Sequence, residues 1–186
     1  MNILSTAIFI IWFLSEVLLN RLMRSGKSDK KNADKGSLWL IWIVLSLAIA
    51  SSVMLSIHTD YPIWESPFVN YSGLVIILAG MALRFYAIRK LGRYFTVDVS
   101  IRKGHRIMDE GIYGLVRHPS YTGSLISFFG YGVAQNNWLC LLVVFVPVTL
   151  SFVYRIRIEE KALLEQFGAE YAEYKKKTKY LIPYII

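Results

Sequence analysis

The sequence predicts an all-α polytopic membrane protein: about five transmembrane helices, the last two a tight hairpin, with a cytoplasmic loop and C-terminal helices attached. Three observations predict it. Of 186 residues, 55% are hydrophobic and only 18% charged, with a mean hydropathy of +0.43, an excess that suits lipid better than a buried soluble core. Several apolar runs reach the ~20 residues that a helix needs to cross a ~30 Å hydrocarbon layer. The basic residues, finally, fall only between certain of those runs.

Three runs have full spanning length: Ile3 to Met23, Leu38 to Ile57, and Tyr71 to Leu91. The first lacks the basic start and small-residue cleavage site of a secretory signal, so it is expected to be a retained helix. Two further runs, Tyr121 to Ala134 and Trp138 to Tyr154, are separated only by Gln135, Asn136 and Asn137. They predict a helical hairpin whose chain returns to its starting side whether or not the shorter arm crosses fully. With no internal repeat or low-complexity linker, residues 1–186 read as one domain, its polar chemistry concentrated in residues 92–186.

Lys and Arg are retained on the cytoplasmic side during insertion, so their positions orient the chain. Six lie from Arg21 to Lys35, eight from Arg84 to Arg117 and seven from Arg155 to Lys179, which accounts for all 21. The opposite face receives the N-terminus, the loop from His58 to Pro67 and the Gln-Asn-Asn tip. An integral, multi-pass chain with its N-terminus outside and its C-terminus cytoplasmic satisfies every segment. Trp39, Trp42, Trp64 and Trp138 fall near span ends, as an interfacial belt requires. The charged loop from Ser25 to Gly36 reads as a solvated connector against anionic headgroups, as do Lys175, Lys176 and Lys177.

The formal charge of +8 excludes little by itself, but apolar runs between the basic clusters leave no soluble fold to display a nucleic-acid groove, so no nucleic-acid partner is expected. The single cysteine, Cys140, forbids an intramolecular disulfide and reads as a small buried hydrophobe. Glu16 and Arg84 are the exceptional ionisable residues inside the first three spans; Arg84 either snorkels to the inner face or pairs within the bundle. No glycine-rich strand-to-helix fingerprint appears, so a nucleotide-like ligand must be bound by another architecture.

The second cytoplasmic piece, Gly92 to Ser120, and the third, Arg155 to Pro183, carry the chemistry, and the stretch from Gly104 to Gly123 is dense in groups that bind anions and aromatic rings. The proline after His118 pushes that residue out of helical geometry, while Pro119 suits a first helical turn, so His118 should cap the fourth helix. The unpaired N–H groups and positive dipole end of that helix, beside Arg117, make a seat for a carboxylate. Tyr113 and Tyr121 are placed to flank a ring. The third piece carries Arg155, Glu159 and Glu160 at the end of the fifth helix. Because the hairpin makes the fourth and fifth helices antiparallel neighbours, Glu159 and Glu160 should lie at the depth of His118. Arg155 and Glu159, four residues apart, share one helix face. Gly168 should break the C-terminal stretch into two helices that cover the pocket.

The pattern His105-x-x-x-x-x-Gly111-Ile112-Tyr113, Arg117-His118-Pro119-x-Tyr121-x-Gly123, then Glu159-Glu160 and Phe167-Gly168-x-x-Tyr171-x-x-Tyr174 resembles the isoprenylcysteine carboxyl methyltransferase family over roughly the last ninety residues. The resemblance implies S-adenosylmethionine as cofactor and S-adenosylhomocysteine as product. It implies cofactor binding by His105, Arg106, Ile107, Met108, Tyr113, His118, Pro119, Ser120, Tyr121 and Glu159. It further implies that Arg155 holds the substrate carboxylate, with Arg155, Glu159 and Glu160 as the catalytic set. The partner it implies is a lipidated isoprenylcysteine, free or at a protein C-terminus, methylated to an ester; its tail would enter sideways from the membrane lipid. A carboxylate attacking a sulfonium methyl annihilates opposite charges, which a dry site favours, and it needs neither a base nor a metal. The Arg-His-Pro and Glu-Glu pair is shared with phospholipid N-methyltransferases, where an amine acceptor would need a base such as His118, Glu160 or Tyr121. A membrane reductase using a nicotinamide cofactor and a non-enzymatic transporter are the remaining alternatives.

Overall fold

The computed structural model describes residues 3–23, 36–100 and 104–181. Most of the predicted Ser25 to Gly36 connector lies outside the described residues. Among the described residues six α-helices follow one another: α1 (Ile3–Leu22), α2 (Ser37–His58), α3 (Phe68–Leu91), α4 (Pro119–Ala134), α5 (Trp138–Phe167) and α6 (Ala169–Lys177). There is no strand among the described residues, only an isolated parallel bridge between Val116 and Lys179.

The three long predicted spans are present, each with ends displaced by at most three residues. Four helices, α1, α2, α3 and α5, are long and apolar enough to cross a membrane. The fifth predicted crossing, α4, has only 16 residues and so rises about 24 Å, short of the hydrocarbon thickness. It is covered instead by protein, packing along α3 on one side and α5 on the other. The hairpin tip is stitched down: Asn137 Oδ1 accepts from the N–H groups of Leu139 and Cys140, capping α5, and Asn70 Nδ2 donates to Ala134 O at 2.7 Å.

Helix faces follow the burial expected in lipid, where apolar side chains point outward as freely as inward. On α1 only Ser5, Trp12 and Leu19, seven residues apart, are buried, while Ile11, Leu14 and Leu18 are more than half exposed. α3 and α4 meet through small residues. A methyl at Gly80 would lie 2.6 Å from Gly123 O, and one at Gly123 would lie 2.6 Å from Arg84 N, so the two backbones touch at this crossing. α5 buries one stripe through its whole length, from Cys140 and Val144 through Val148 and Phe152 to Arg155, Ile156 and Glu160. At 30 residues it is about 45 Å long, longer than a bilayer core, and its last third carries the polar chemistry out of the apolar layer. Gly168, at φ 53 and ψ −122, sits where a side chain is strained and ends the helix, as its position in the sequence predicts.

Of the tryptophans expected in an interfacial belt, Trp39, Trp64 and Trp138 are half or more exposed. Trp42 departs from it and lines an internal cavity, because its face of α2 turns toward α1 and α4.

Candidate active site

His118 is the residue before α4, at φ −123 and ψ 54, and Pro119 opens the helix. Opposite, one α5 turn presents Glu159 and Glu160. Consecutive residues on a helix point about 100° apart, and these two part accordingly. Glu160 turns into a cluster of cations: its Oε1 accepts from Arg117 Nε at 2.8 Å and faces His118 Nε2 at 3.2 Å, while Lys175 Nζ donates to Oε2 at 2.7 Å. Glu159 instead lines a cavity of about 170 Å³, where Tyr121 Oη donates to its Oε2 at 3.0 Å. The Arg-His-Pro turn and the Glu-Glu pair are therefore in contact, as the hairpin argument predicts.

The Glu160 cluster fastens the C-terminal segment across the cavity. Arg117 Nη1 donates to Lys175 O at 3.0 Å and also to Thr178 O. Arg117 N donates to Lys179 O and Lys179 N to Leu115 O, each at 2.9 Å. Tyr174 Oη donates to Tyr113 O at 2.7 Å. Burial, reinforced by the charges of Glu160 and Glu159, pushes the Tyr171 phenol well above its ordinary range, and burial does the same for Tyr174. Both stay neutral at physiological pH. Lys175, expected on lipid headgroups, reaches Glu160 with its ammonium while its side chain stays 38% exposed.

One side of the cavity is aromatic. The His105 ring stacks on Tyr94, 5.0 Å between centroids and 20° between planes, and meets Phe167 edge-on at 5.6 Å. Ile107, Met108 and Tyr113 line the same region, and Tyr113 Oη donates to Ala87 O at 3.3 Å. Arg106 alone of that predicted segment is exposed and does not line the cavity. His118, Pro119, Ser120 and Tyr121 all do. His118 Nε2 faces Glu160 while the residue still lines the cavity, and the N–H groups of Ser120 and Tyr121, donors of a first helical turn, lie beside it at the head of α4.

The inner wall is charged and apolar at once. Arg84 Nε and Nη2 each lie 2.8 Å from the two Glu16 oxygens, and Nη1 donates to Ser120 O and Oγ. The two exceptional intramembrane charges thus pair with each other in the bundle, on the cavity wall. Leu38, Ile41, Leu45, Phe128 and Phe152 continue that wall. A smaller apolar cavity of about 40 Å³ between α1 and α2, lined by Trp12, Phe13 and Ile49, shares Glu16, Trp42, Leu45 and Phe128 with the first. Among the described residues no group of His, Cys, Asp or Glu has the arrangement of a metal site.

Arg155 is 3% exposed and stands behind this wall: its Nε donates to Tyr121 Oη at 3.0 Å, Nη1 to Ser37 Oγ at 2.6 Å, and Nη2 to Val97 O. Its predicted neighbour Glu159 is reached through the Tyr121 hydroxyl. Residues that sequence reasoning missed are Tyr94 and the Phe95 to Ser100 segment, which line the cavity after a short 3₁₀ turn at Gly92–Tyr94. They carry no motif, and only the aromatic Tyr94-Phe95 pair just past α3 signals them.

The sequence model described as the isoprenylcysteine carboxyl methyltransferase (ICMT) family matches residues 73–165. A probable protein-S-isoprenylcysteine O-methyltransferase of Oryza sativa subsp. indica is 36% identical over 120 residues, covering 63% of this chain and 63% of the relative. Protein-S-isoprenylcysteine O-methyltransferase B of Arabidopsis thaliana is 37% identical over 124 residues, 66% of this chain and 61% of the relative. The chain thus spans less than two thirds of these relatives' lengths. The structure of the eukaryotic intramembrane Ras methyltransferase ICMT superposes with a TM-score of 0.67 at 29% identity, over 75% of this chain and 52% of that one.

Proposed function

The chain belongs to the isoprenylcysteine carboxyl methyltransferase family, and we propose that it transfers a methyl group from S-adenosylmethionine to the carboxylate of a membrane-embedded isoprenylcysteine, at the cytoplasmic surface. The observation that carries this reading is the convergence of two distant motifs on one cavity. Tyr121 of α4 and Glu159 of α5 meet at 3.0 Å on its wall, and a second, apolar cavity adjoins it between α1 and α2.

The residues present fit the cofactor. Tyr94, His105 and Phe167 offer ring faces and edges for an adenine. Tyr121 takes one oxygen of Glu159, and Oε1 has no hydrogen-bond partner among the described residues, which suits an ammonium group. The first N–H groups of α4 suit a carboxylate. When bound, S-adenosylmethionine supplies an electrophilic methyl on a sulfonium. The chain's own work is then orientation and exclusion of water. A carboxylate acceptor with pKa ~3.5 is ionised at pH 7, so no residue has a proton to remove. Arg84 is the guanidinium on the wall and Arg155 the one behind it. The C-terminal segment, held by Arg117 and Tyr174, keeps water from a site where opposite charges are to cancel. The isoprenyl tail would occupy the apolar space beside Trp42 and Phe128, open to lipid.

The test is methyl transfer by the full chain in lipid nanodiscs with labelled S-adenosylmethionine, offering a farnesylated cysteine analogue or an ethanolamine lipid. Label incorporated only with the farnesylated acceptor, and released by mild alkali as an ester is, is the expected result. Alkali-stable label on the ethanolamine lipid would overturn it in favour of amine methylation.

A further inference from the structure

Among the described residues five tyrosines line the large cavity, Tyr94, Tyr113, Tyr121, Tyr171 and Tyr174, and the hydroxyls of four are engaged by protein. Tyr94 Oη accepts from Arg93 Nη2 at 2.8 Å. Tyr113 and Tyr174 donate to the carbonyls of Ala87 and Tyr113, and Tyr121 donates to Glu159. Tyr171 differs: the residue is only 2% exposed, yet its Oη has no hydrogen-bond partner among the described residues. A hydroxyl left bare in a dry site loses its hydration with nothing in return, and folded proteins seldom keep one. A phenylalanine would fill the same space without that cost. Nor is Tyr171 free to turn elsewhere. It shares the buried face of α6 with Tyr174, ring to ring at 5.8 Å, and Tyr174 ties that face to Tyr113. Burial, with the charges of Glu160 and Glu159, keeps the Tyr171 phenol protonated, while both Glu160 oxygens are occupied by Arg117, His118 and Lys175. Its proton is available to a guest in the cavity.

From this we infer that Tyr171 is a cofactor-binding residue whose hydroxyl bonds the ribose diol of the methyl donor. The inference rests on the reading of this cavity as the site of S-adenosylmethionine. In that reading three parts of the donor already have protein groups that suit them: Glu159 for the ammonium, the first N–H groups of α4 for the carboxylate, and the rings of Tyr94, His105 and Phe167 for the adenine. The sulfonium carries no hydrogen-bonding group. The two ribose hydroxyls are what is left, and a phenol, which donates and accepts at once, matches a group that does both. The placement agrees. Tyr171 follows Phe167, of the adenine seat, by four residues and feels the charge of Glu159, of the ammonium seat; the ribose is the part of the ligand that joins those two ends.

Calorimetry on the full chain in nanodiscs tests this, with S-adenosylhomocysteine and its 2′-deoxy and 3′-deoxy analogues as ligands and Tyr171→Phe as the variant. Tyr171→Phe is expected to weaken S-adenosylhomocysteine about fivefold, the scale of one neutral hydrogen bond. At least one deoxy analogue should bind the unaltered chain about fivefold more weakly than S-adenosylhomocysteine does. That analogue should bind the variant and the unaltered chain alike within about twofold, because both changes remove the same bond. The thermal midpoint of the free variant should hold or rise, since phenylalanine takes away an unsatisfied oxygen. Unchanged S-adenosylhomocysteine affinity in Tyr171→Phe overturns the inference. So does a lowered midpoint or a variant that fails to fold, because the hydroxyl then has a partner in the free protein. Deoxy penalties that persist undiminished in the variant for both analogues, or that are absent for both in the unaltered chain, also overturn it, since the hydroxyl then does not meet the ribose. An unaltered chain that binds no S-adenosylhomocysteine is a different result, and overturns the proposed function together with this inference.

Discussion

Glu159 and Glu160 are neighbours of one chemical type whose side chains end in opposite circumstances, one on the cavity and one in a cage of Arg117, His118 and Lys175. Substitutions should separate them. Glu159→Gln keeps the hydrogen-bonding shape and removes the charge; it is expected to weaken S-adenosylhomocysteine about tenfold in calorimetry while the thermal midpoint of the free protein stays put. Glu160→Ala leaves cations behind with no anion between them. Truncating one partner of a buried pair costs about 3–5 kcal/mol, and here the loss also loosens the segment from Lys175 to Leu181. A lowered midpoint, with accelerated proteolysis near Thr178, is the expected reading. In the sequence the two carboxylates are told apart only by the helix face Glu159 shares with Arg155 and by the family resemblance. The assignment needs the rotation of α5 about its axis, which is set by the whole buried stripe from Cys140 onward.

Between elements, α3 and α4 meet backbone against backbone at Gly80 and Gly123. Without a hydrophobic force between helices in lipid, such an interface depends on close backbone approach. Gly123→Ala places a methyl against the backbone of Arg84, with no flexible side chain to yield, so a loss of about 1–3 kcal/mol is expected, measured as the thermal midpoint in detergent. Because Arg84 sits at this crossing and bonds Ser120, methyl-donor affinity should fall as well. Much of this level was legible beforehand: apolar run length located α1, α2 and α3, the Gln-Asn-Asn interruption located the hairpin, and Pro119 and Gly168 marked a helix start and a helix break. What stayed hidden depends on distant partners. Trp42 and Lys175 obey surface rules locally and are overruled by a cavity and by Glu160. The pairing of Glu16 with Arg84 was one of two options until α1 and α3 were seen side by side, and Tyr94 to Ser100 joins the site through folding alone.

At the scale of the molecule, α5 joins an apolar layer to a polar site in one rigid rod, so the side on which Phe167 emerges is the side on which the cavity opens. All 21 basic residues lie in segments expected on that side, for which the positive-inside preference predicts a cytoplasmic location, where the proposed methyl donor would be at hand. Glu65 in the α2–α3 loop and Lys161 on the far part of α5 are both exposed and sit beyond opposite ends of the bundle. Cys140 is fully buried, with its sulfur against Ser52 O, so it need not be removed before thiol labelling. Glu65→Cys should react with a membrane-impermeant maleimide in intact cells, and Lys161→Cys only after permeabilisation. The reverse pattern would put the cavity outside and away from the proposed cofactor. Labelling of both variants in intact cells would mean that the chain inserts in two orientations, in which case the charge asymmetry read from the sequence is too weak to orient it.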